Sequence, residues 1–200
     1  MNGARLRLDG VACRRGGRLL LRGVSLDLAA GDAALLTGPN GVGKSSLLRL
    51  CAGLLPAFAG TVERRGGVTL ADERLALDAD LPLARALDFW AGLDGADARA
   101  RDRAMTAMAL ERLAQVPVRM LSTGQRKRAM LARVIASGAG LWLLDEPGNG
   151  LDAASLDALG AAMAAHRAGG GIVVAASHQP LPVAAPVTLA LDACVAEDGL

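Results

Sequence analysis

The residues best suited to chemistry form one glycine-rich stretch, Gly38–Ser46, which reads Gly-Pro-Asn-Gly-Val-Gly-Lys-Ser-Ser. The order of glycine, four residues and Gly-Lys-Ser fits the phosphate-binding loop pattern. Its glycines let successive backbone N–H groups surround an anion, and the start of a following helix adds a positive field. Lys44 is predicted to contact the β- and γ-phosphates of a nucleotide, and the Ser45 hydroxyl to bind Mg²⁺. The predicted nucleotide-binding residues of this loop are Gly38, Pro39, Asn40, Gly41, Val42, Gly43, Lys44, Ser45 and Ser46.

The elements around this loop support that interpretation. The apolar run Ala33–Thr37 predicts a buried strand before it, and Ser46–Ala52 predicts a helix after it that stops at Gly53. The alternative is a glycine-rich turn beside an exposed lysine. The chain has only two lysines, Lys44 and Lys127, against 20 arginines. A lysine at the motif position of so lysine-poor a chain favours phosphate binding.

Three further polar residues follow two apolar strands. Asp145 and Glu146 come after the run Leu141–Leu144, and His178 comes shortly after Ile172–Ala176. In open α/β sheets, ligands bind outside the carboxyl ends of the strands, so these side chains are predicted to face the phosphates. Asp145 would hold Mg²⁺ directly or through water, Glu146 would act as general base or orient the attacking water, and His178 would sense the γ-phosphate. An Asp-Glu-Pro turn and a structural histidine are the alternatives.

The strand–helix alternation predicts an α/β fold with a mostly parallel sheet and helices on both faces. An antiparallel hairpin is predicted to turn at Gly16-Gly17, two short strands to lie between Thr61 and Leu70, and an all-α insert to begin at Leu83. Within that insert, helices are predicted at Ala84–Ala91 and Ala98–Leu113. We expect a single domain over 1–200, with a core of about 1–82 and 122–200 and a helical part of about 83–121.

Composition narrows the partners. A net charge of +2 and 2% aromatic residues give no reason to expect nucleic acid. Cys13, Cys51 and Cys194 have no metal-ligand spacing and are expected to be free thiols in a reducing compartment. The apolar stretch Leu181–Leu191 is short and contains prolines, so no membrane-spanning helix is predicted, and the start of the chain has no apolar signal core. We therefore expect a soluble, cytosolic chain.

The stretch Leu121–Gln125 precedes another predicted helix, with Ser122 as a good N-cap. Its exposed N–H groups could bind an anion, although a capped helix needs no such explanation. With this stretch, the chain resembles the ATP-binding cassette (ABC) family of phosphate-loop ATPases. The resemblance rests on an ordered set of motifs: the phosphate loop at Gly38–Ser45, the signature Leu121–Gln125, Asp145-Glu146, Leu151-Asp152 and His178.

The resemblance implies an ATPase that uses ATP and Mg²⁺, with Lys44, Glu146 and His178 as catalytic residues and Ser45 and Asp145 on the metal. It also implies two copies paired head to tail, in which Ser122, Gly124 and Gln125 of one copy bind the ATP held by the other. Closure of that pair would drive integral membrane subunits.

Within the family, the chain looks like the subunits that serve cytochrome c maturation, the CcmA type. The residues that carry this likeness are Cys13–Arg18, Asp88-Phe89-Trp90, Ser177–Gln179 and the end of the chain soon after Leu191. The likeness implies a haem-export complex, a peripheral position at the cytoplasmic face of the inner membrane, and permeases of the CcmB/CcmC type. Haem would be handled only indirectly, since no axial-ligand motif is present.

Several positions depart from the family pattern. No glutamine precedes the helical insert, where Glu73 or Arg74 could substitute, and Gly148–Gly150 is unusually rich in glycine. Thr123 stands at a usual glycine of the signature. The tyrosine that normally stacks on adenine is missing, so Arg14 or Arg15 is expected to take its place.

Three alternatives remain open at this stage. The chain could be a nucleotide-gated binding module that hydrolyses little ATP, an ATPase of another small exporter, or a soluble cassette that acts on nucleic acid or ribosomes.

Overall fold

The computed structural model describes residues 3–72, 76–97 and 99–195. Over these residues the strands are β1 (Arg5–Arg15), β2 (Arg18–Leu28), β3 (Ala33–Thr37), β4 (Ala59–Arg65), β5 (Val68–Ala71), β6 (Leu141–Asp145), β7 (Ile172–Ala176) and β8 (Val187–Ala190). The α-helices are α1 (Lys44–Cys51), α2 (Leu83–Leu93), α3 (Ala100–Ala107), α4 (Thr123–Ala136) and α5 (Ala153–Ala168). Short 3₁₀ helices span Glu111–Leu113, Val118–Met120 and Leu191–Cys194.

A five-stranded parallel sheet in the order β5-β6-β7-β3-β8 forms the centre of the fold. Ala176 of β7 pairs with Leu36 of β3 on one side and with Asp145 of β6 on the other. The carboxyl ends of three neighbouring strands therefore meet at one edge of the sheet. The loops that follow these strands carry the residues predicted to do chemistry.

Alternation along β6 shows how the sheet separates two apolar layers. Trp142 and Leu144 pack with the layer that includes α2 to α5, whereas Leu141 and Leu143 pack with α1 and the antiparallel sheet. Every residue of β6 is buried, because both faces of the sheet are covered.

The antiparallel sheet has the order β2-β1-β4, and β1 and β2 form the predicted hairpin with its turn at Gly16-Gly17. Both turn residues have positive φ angles, 57° and 84°, which glycine adopts without strain. The two short strands predicted between Thr61 and Leu70 are β4 and β5, and they join different sheets. β4 pairs with β1, whereas β5 pairs with β6.

Helices begin at Leu83 as predicted, but the second helix is shorter than predicted. The sequence predicts helix over Ala98–Leu113, whereas α3 ends at Ala107, and Ala98 itself lies outside the described residues. Ala109 has a φ of 50°, which breaks the helical path. The guanidinium of Arg128 donates to the carbonyl oxygens of Met108 and Ala109, so it provides hydrogen bonds for backbone acceptors at the end of the helix.

The strand β8 was not predicted from the sequence. It lies in the short apolar stretch Leu181–Leu191, after two prolines, and pairs with β3 at the edge of the sheet. None of the described helices is long and apolar enough to cross a membrane.

Candidate nucleotide-binding site

The phosphate loop connects β3 to α1, and at Gly43 its backbone leaves little room for a side chain. Gly43 forms the N-cap of α1 with a φ of 118°. A Cβ at Gly43 would lie 3.2 Å from the side chain of Leu21, and its backbone conformation is one that L side chains rarely adopt. Lys44, the first residue of α1, is buried against the loop.

The ammonium group of Lys44 joins the loop to the end of β7. Its Nζ donates to the carbonyl oxygens of Gly38 at 2.8 Å and Pro39 at 3.1 Å, and it lies 3.0 Å from Nε2 of His178. A lysine ammonium can only donate, so Nε2 accepts and the ring proton lies on Nδ1. The structure thus brings Lys44 and His178 together although they lie 134 positions apart.

Glu146 completes this network from the end of β6. Its side chain is 13% exposed, and its Oε2 accepts a hydrogen bond from the backbone N–H of His178 at 3.3 Å. Its Oε1 lies 3.3 Å from Nε2 of His178 but has no hydrogen-bond partner among the described residues. A buried carboxylate oxygen with a free lone pair can accept a proton.

One cavity collects most of the predicted residues. Its lining is Arg15, Leu20, Asn40, Gly41, Gly43, Lys44, Ser45, Ser46, Asp145, Glu146 and His178. Gly38 and Pro39 do not line it but supply the carbonyls that hold Lys44. Val42 is buried in the apolar layer on the α1 side of the sheet.

The oxygen donors of the cavity suit Mg²⁺. The hydroxyl of Ser45 and the buried carboxylate of Asp145 both line it. Among the described residues, no group of three or more His, Cys, Asp or Glu side chains could hold a metal ion. A pair of oxygen ligands from Ser45 and Asp145 fits Mg²⁺, which usually takes one or two protein oxygens and completes its coordination shell with water and phosphate.

The signature residues form a separate cavity at the start of α4. Ser122 and Gln125 make a capping box, in which Oγ of Ser122 accepts from the N–H of Gln125 and Oε1 of Gln125 accepts from the N–H of Ser122. The cavity is lined by Ser122, Gly124, Gln125, Arg128, Gly150, Leu151, Asp152 and Ser155. Of the described residues, none lines both this cavity and the one at Lys44.

The structure distinguishes the two arginines considered for the adenine base. The guanidinium of Arg14 lies 4.6 Å from the ring centroid of Phe58 and forms a cation–π contact there. Arg15 lines the Lys44 cavity beside Leu20. Neighbouring residues of a strand face opposite sides, which agrees with Arg15 rather than Arg14 lining this cavity.

Two further polar residues, His166 and Lys127, lie in the helices α5 and α4. His166 stacks on Trp142, with ring centroids 3.9 Å apart and an interplanar angle of 9°, near the amino ends of β6 and β7. Burial lowers the pKa of His166, which agrees with a structural role. Lys127, noted only for its rarity, donates to the backbone oxygen of Glu146 at 2.7 Å. Glu73 and Arg74 lie outside the described residues.

Comparisons with known proteins agree with this geometry. The family profile of ABC transporters matches residues 21–149. The "Cytochrome c biogenesis ATP-binding export protein CcmA" of Sphingopyxis alaskensis is 61% identical over 178 residues, which cover 89% of this chain and 92% of the relative. The protein of the same name from Zymomonas mobilis is 56% identical over 196 residues, 98% of this chain and 88% of the relative.

Solved structures show the same fold. A Pyrococcus furiosus protein described as an ABC transporter ATP-binding protein superposes with a TM-score of 0.84 at 20% identity, over 96% of this chain and 100% of that chain. A second structure, of an ATP-binding subunit of an ABC transporter, has a TM-score of 0.79 at 22% identity, over 87% of this chain and 80% of that chain. The predicted fold class is confirmed, and the chain belongs to the ABC transporter family, among its cytochrome c biogenesis ATP-binding export proteins of the CcmA type.

Proposed function

We propose that this chain binds Mg²⁺-ATP in the Lys44 cavity and hydrolyses it to drive the haem-handling export complex of cytochrome c biogenesis. The observation that carries the proposal is the network of Lys44, His178 and Glu146 in one cavity, with a buried Glu146 oxygen free to accept a proton. ATP binding itself follows from membership of the ABC family.

Phosphate binding uses the loop and Lys44. The backbone N–H groups of the loop and the start of α1 supply donors, and the ammonium supplies a full positive charge. Ser45 and Asp145 would hold Mg²⁺, which neutralises charge on the phosphates when bound. Arg15 stacks on the adenine in place of an aromatic ring.

Hydrolysis uses Glu146 as the base. A water molecule near Oε1 attacks the γ-phosphorus, and a new oxygen–phosphorus bond forms as the bond to the β–γ bridging oxygen breaks. The water proton passes to Glu146, and the leaving oxygen remains on ADP. His178, held by Glu146 and Lys44, orients the γ-phosphate beside the base.

The second cavity, at Ser122 and Gly124, serves the nucleotide of another copy. It presents the N-terminus of α4, which suits a γ-phosphate, yet it shares no described lining residue with the Lys44 cavity. A head-to-tail pair of identical chains brings the two kinds of cavity together. Ser122, Gly124 and Gln125 then complete the site of the partner copy.

The membrane partners are permease subunits of the CcmB/CcmC type, which place the chain at the cytoplasmic face of the inner membrane. An apolar groove beside α2, lined in part by Leu81, Phe89 and Trp90, suits contact with such a subunit, and Phe89 is 62% exposed. Cargo choice belongs to the permeases, so haem concerns this chain only indirectly. Co-purification with a co-expressed permease of this type tests the assignment, and its failure in mild detergent would contradict it.

The test of the function is Glu146→Gln, which keeps the shape of the side chain and removes the base. We expect this variant to bind ATP and to accumulate as a dimer, while turnover falls about 100-fold to 1,000-fold. Phosphate release and size-exclusion chromatography with ATP measure the two effects. Glu63→Gln, the same change on the exposed face of β4, is the matched control and should keep full activity.

Two results would change the assignment. Full turnover in Glu146→Gln would remove the proposed base. Absence of hydrolysis by the wild-type chain assembled with its permeases would favour a nucleotide-gated module instead.

A further inference from the structure

The side chain of Lys127, in α4, contacts Glu146 of the same chain, the residue proposed as the base. Because α4 begins with the signature residues, we call it the signature helix. Lys127 lies in the second turn of α4, and its Nζ donates to the backbone oxygen of Glu146 at 2.7 Å in a partly buried position. The bond is charge-assisted, and such bonds are roughly twice as strong as those between neutral groups. It joins the helix that carries the signature cavity to the residue that serves the Lys44 cavity.

Glu146 has a backbone conformation that must be held in place. Its φ is 46°, in the left-handed region, which a residue with a side chain adopts only with backbone strain. Its N–H donates to the oxygen of Ala176 at 2.9 Å, and its own oxygen accepts from the N–H of Asn149 at 3.3 Å. The ammonium of Lys127 makes a shorter bond to that same oxygen than Asn149 does.

The backbone of Glu146 determines where its carboxylate lies. The side chain starts at the end of β6, and its two oxygens contact the N–H and the ring of His178 at 3.3 Å. A change in the φ angle of Glu146 would turn its Cα–Cβ bond and move these oxygens relative to the phosphate. A displacement of about 1 Å can slow an enzyme about 100-fold.

We propose that Lys127 is a positioning residue: it holds the strained backbone of Glu146 so that the carboxylate faces the phosphate, and it links that carboxylate to the signature helix. The proposal rests on the role of Glu146 as the base. Lys127 contacts no substrate atom in this account and acts only through Glu146.

The same helix offers a matched control. Arg126, the residue before Lys127, also donates a charged hydrogen bond to a backbone oxygen, that of Arg119, at 2.6 Å. That bond is exposed and lies outside both cavities. Lys127→Met and Arg126→Met remove the same charge and the same kind of bond from neighbouring positions.

The kinetic experiment compares these variants with Lys127→Arg, which keeps a donor. We expect Lys127→Met to lower kcat about 10-fold to 100-fold with KM for ATP within about twofold of wild type. Arg126→Met should match wild type, and Lys127→Arg should recover most of the loss. In a Glu146→Gln background, Lys127→Met should cause no further loss, because the group that it positions is gone.

Hydrogen exchange provides a readout that does not need turnover. The amides of Asp145, Glu146, Gly148 and Asn149 should lose about tenfold or more of their protection in Lys127→Met and keep it in Arg126→Met. Unchanged protection, wild-type kcat in Lys127→Met, or an equal further loss in the Glu146→Gln background would each overturn the proposal. If the wild-type chain fails to hydrolyse ATP, the proposed function fails, and the exchange result still decides whether Lys127 holds Glu146.

Discussion

The two cavities of this chain differ in how they are built. At Lys44, the side chains stand at the ends of buried parallel strands, and both Lys44 and Asp145 are 6% exposed. At Ser122, the cavity lies between the starts of two helices, and apart from the buried Ser155 its lining residues are exposed or half-buried. A rigid sheet edge can fix several charged groups relative to one another, whereas two helix starts offer mainly N–H donors.

The charged side chains that line the Ser122 cavity, Arg128 and Asp152, already form hydrogen bonds within the chain. Arg128 donates to the carbonyls of Met108 and Ala109, and the Asp152 carboxylate accepts from the N–H of Ser155. The hydrogen bond with Ser155 lowers the pKa of Asp152. In the proposed function, the Lys44 cavity holds a nucleotide by itself, and the Ser122 cavity acts on phosphates that another copy of the chain delivers.

The largest effect that separates the cavities is expected from Gly124→Asp. A Cβ at Gly124 would have ordinary contact, 3.6 Å from the oxygen of Gly150, so the side chain fits, and a carboxylate at a helix start favours the helix. Its charge repels the γ-phosphate of the partner copy. We expect turnover to fall about 100-fold or more, with ATP affinity of the single chain within about twofold of wild type. Phosphate release and calorimetric titration measure the two quantities. Weakened ATP binding by the single chain would contradict the claim that the Ser122 cavity acts only on the nucleotide of another copy.

An intermediate effect is expected within the Lys44 cavity. Arg15→Ala should raise the Kd for ATP about tenfold, since it removes the cation that we propose stacks on adenine. Arg14→Ala is the matched control and should bind ATP like wild type, because Arg14 packs on Phe58. Fluorescent-nucleotide titration measures both, and equal losses in the two variants would show that the base lies elsewhere.

The smallest effect is expected from Thr123→Gly, which restores the usual signature residue. Thr123 is exposed and does not line the Ser122 cavity. We expect kcat within about twofold of wild type. A tenfold rise in steady-state hydrolysis would mean that threonine disturbs the cavity.

The sequence was informative where local pattern and sheet geometry agree. Apolar runs placed β3, β6 and β7, and parallel pairing brings their carboxyl ends together, so Lys44, Glu146 and His178 were expected to meet. The bond from Lys127 to Glu146 could not be predicted in this way. It depends on how α4 packs against the loop after β6, which no local pattern specifies. The rarity of lysine was the only available signal.

Other features depend on the tertiary arrangement. Which of Arg14 and Arg15 faces the nucleotide depends on the orientation of the hairpin relative to the sheet. The separation of β4 and β5 into two sheets follows from long-range pairing with β1 and β6. The short strand β8 has the same sequence as β5, Val-Thr-Leu-Ala, but it directly follows Pro186 in a proline-containing stretch, so the local pattern does not distinguish it from a loop.

The central claim is that the two cavities work in trans, between two copies of the chain. Mixing two inactive variants, Lys44→Ala and Gly124→Asp, tests it most directly. Each mixed pair contains one intact site, built from the Lys44 cavity of the Gly124→Asp chain and the signature of the Lys44→Ala chain. With random pairing, phosphate release should recover to about a quarter of the wild-type rate at equal total protein. A mixture no more active than either variant alone would contradict the account.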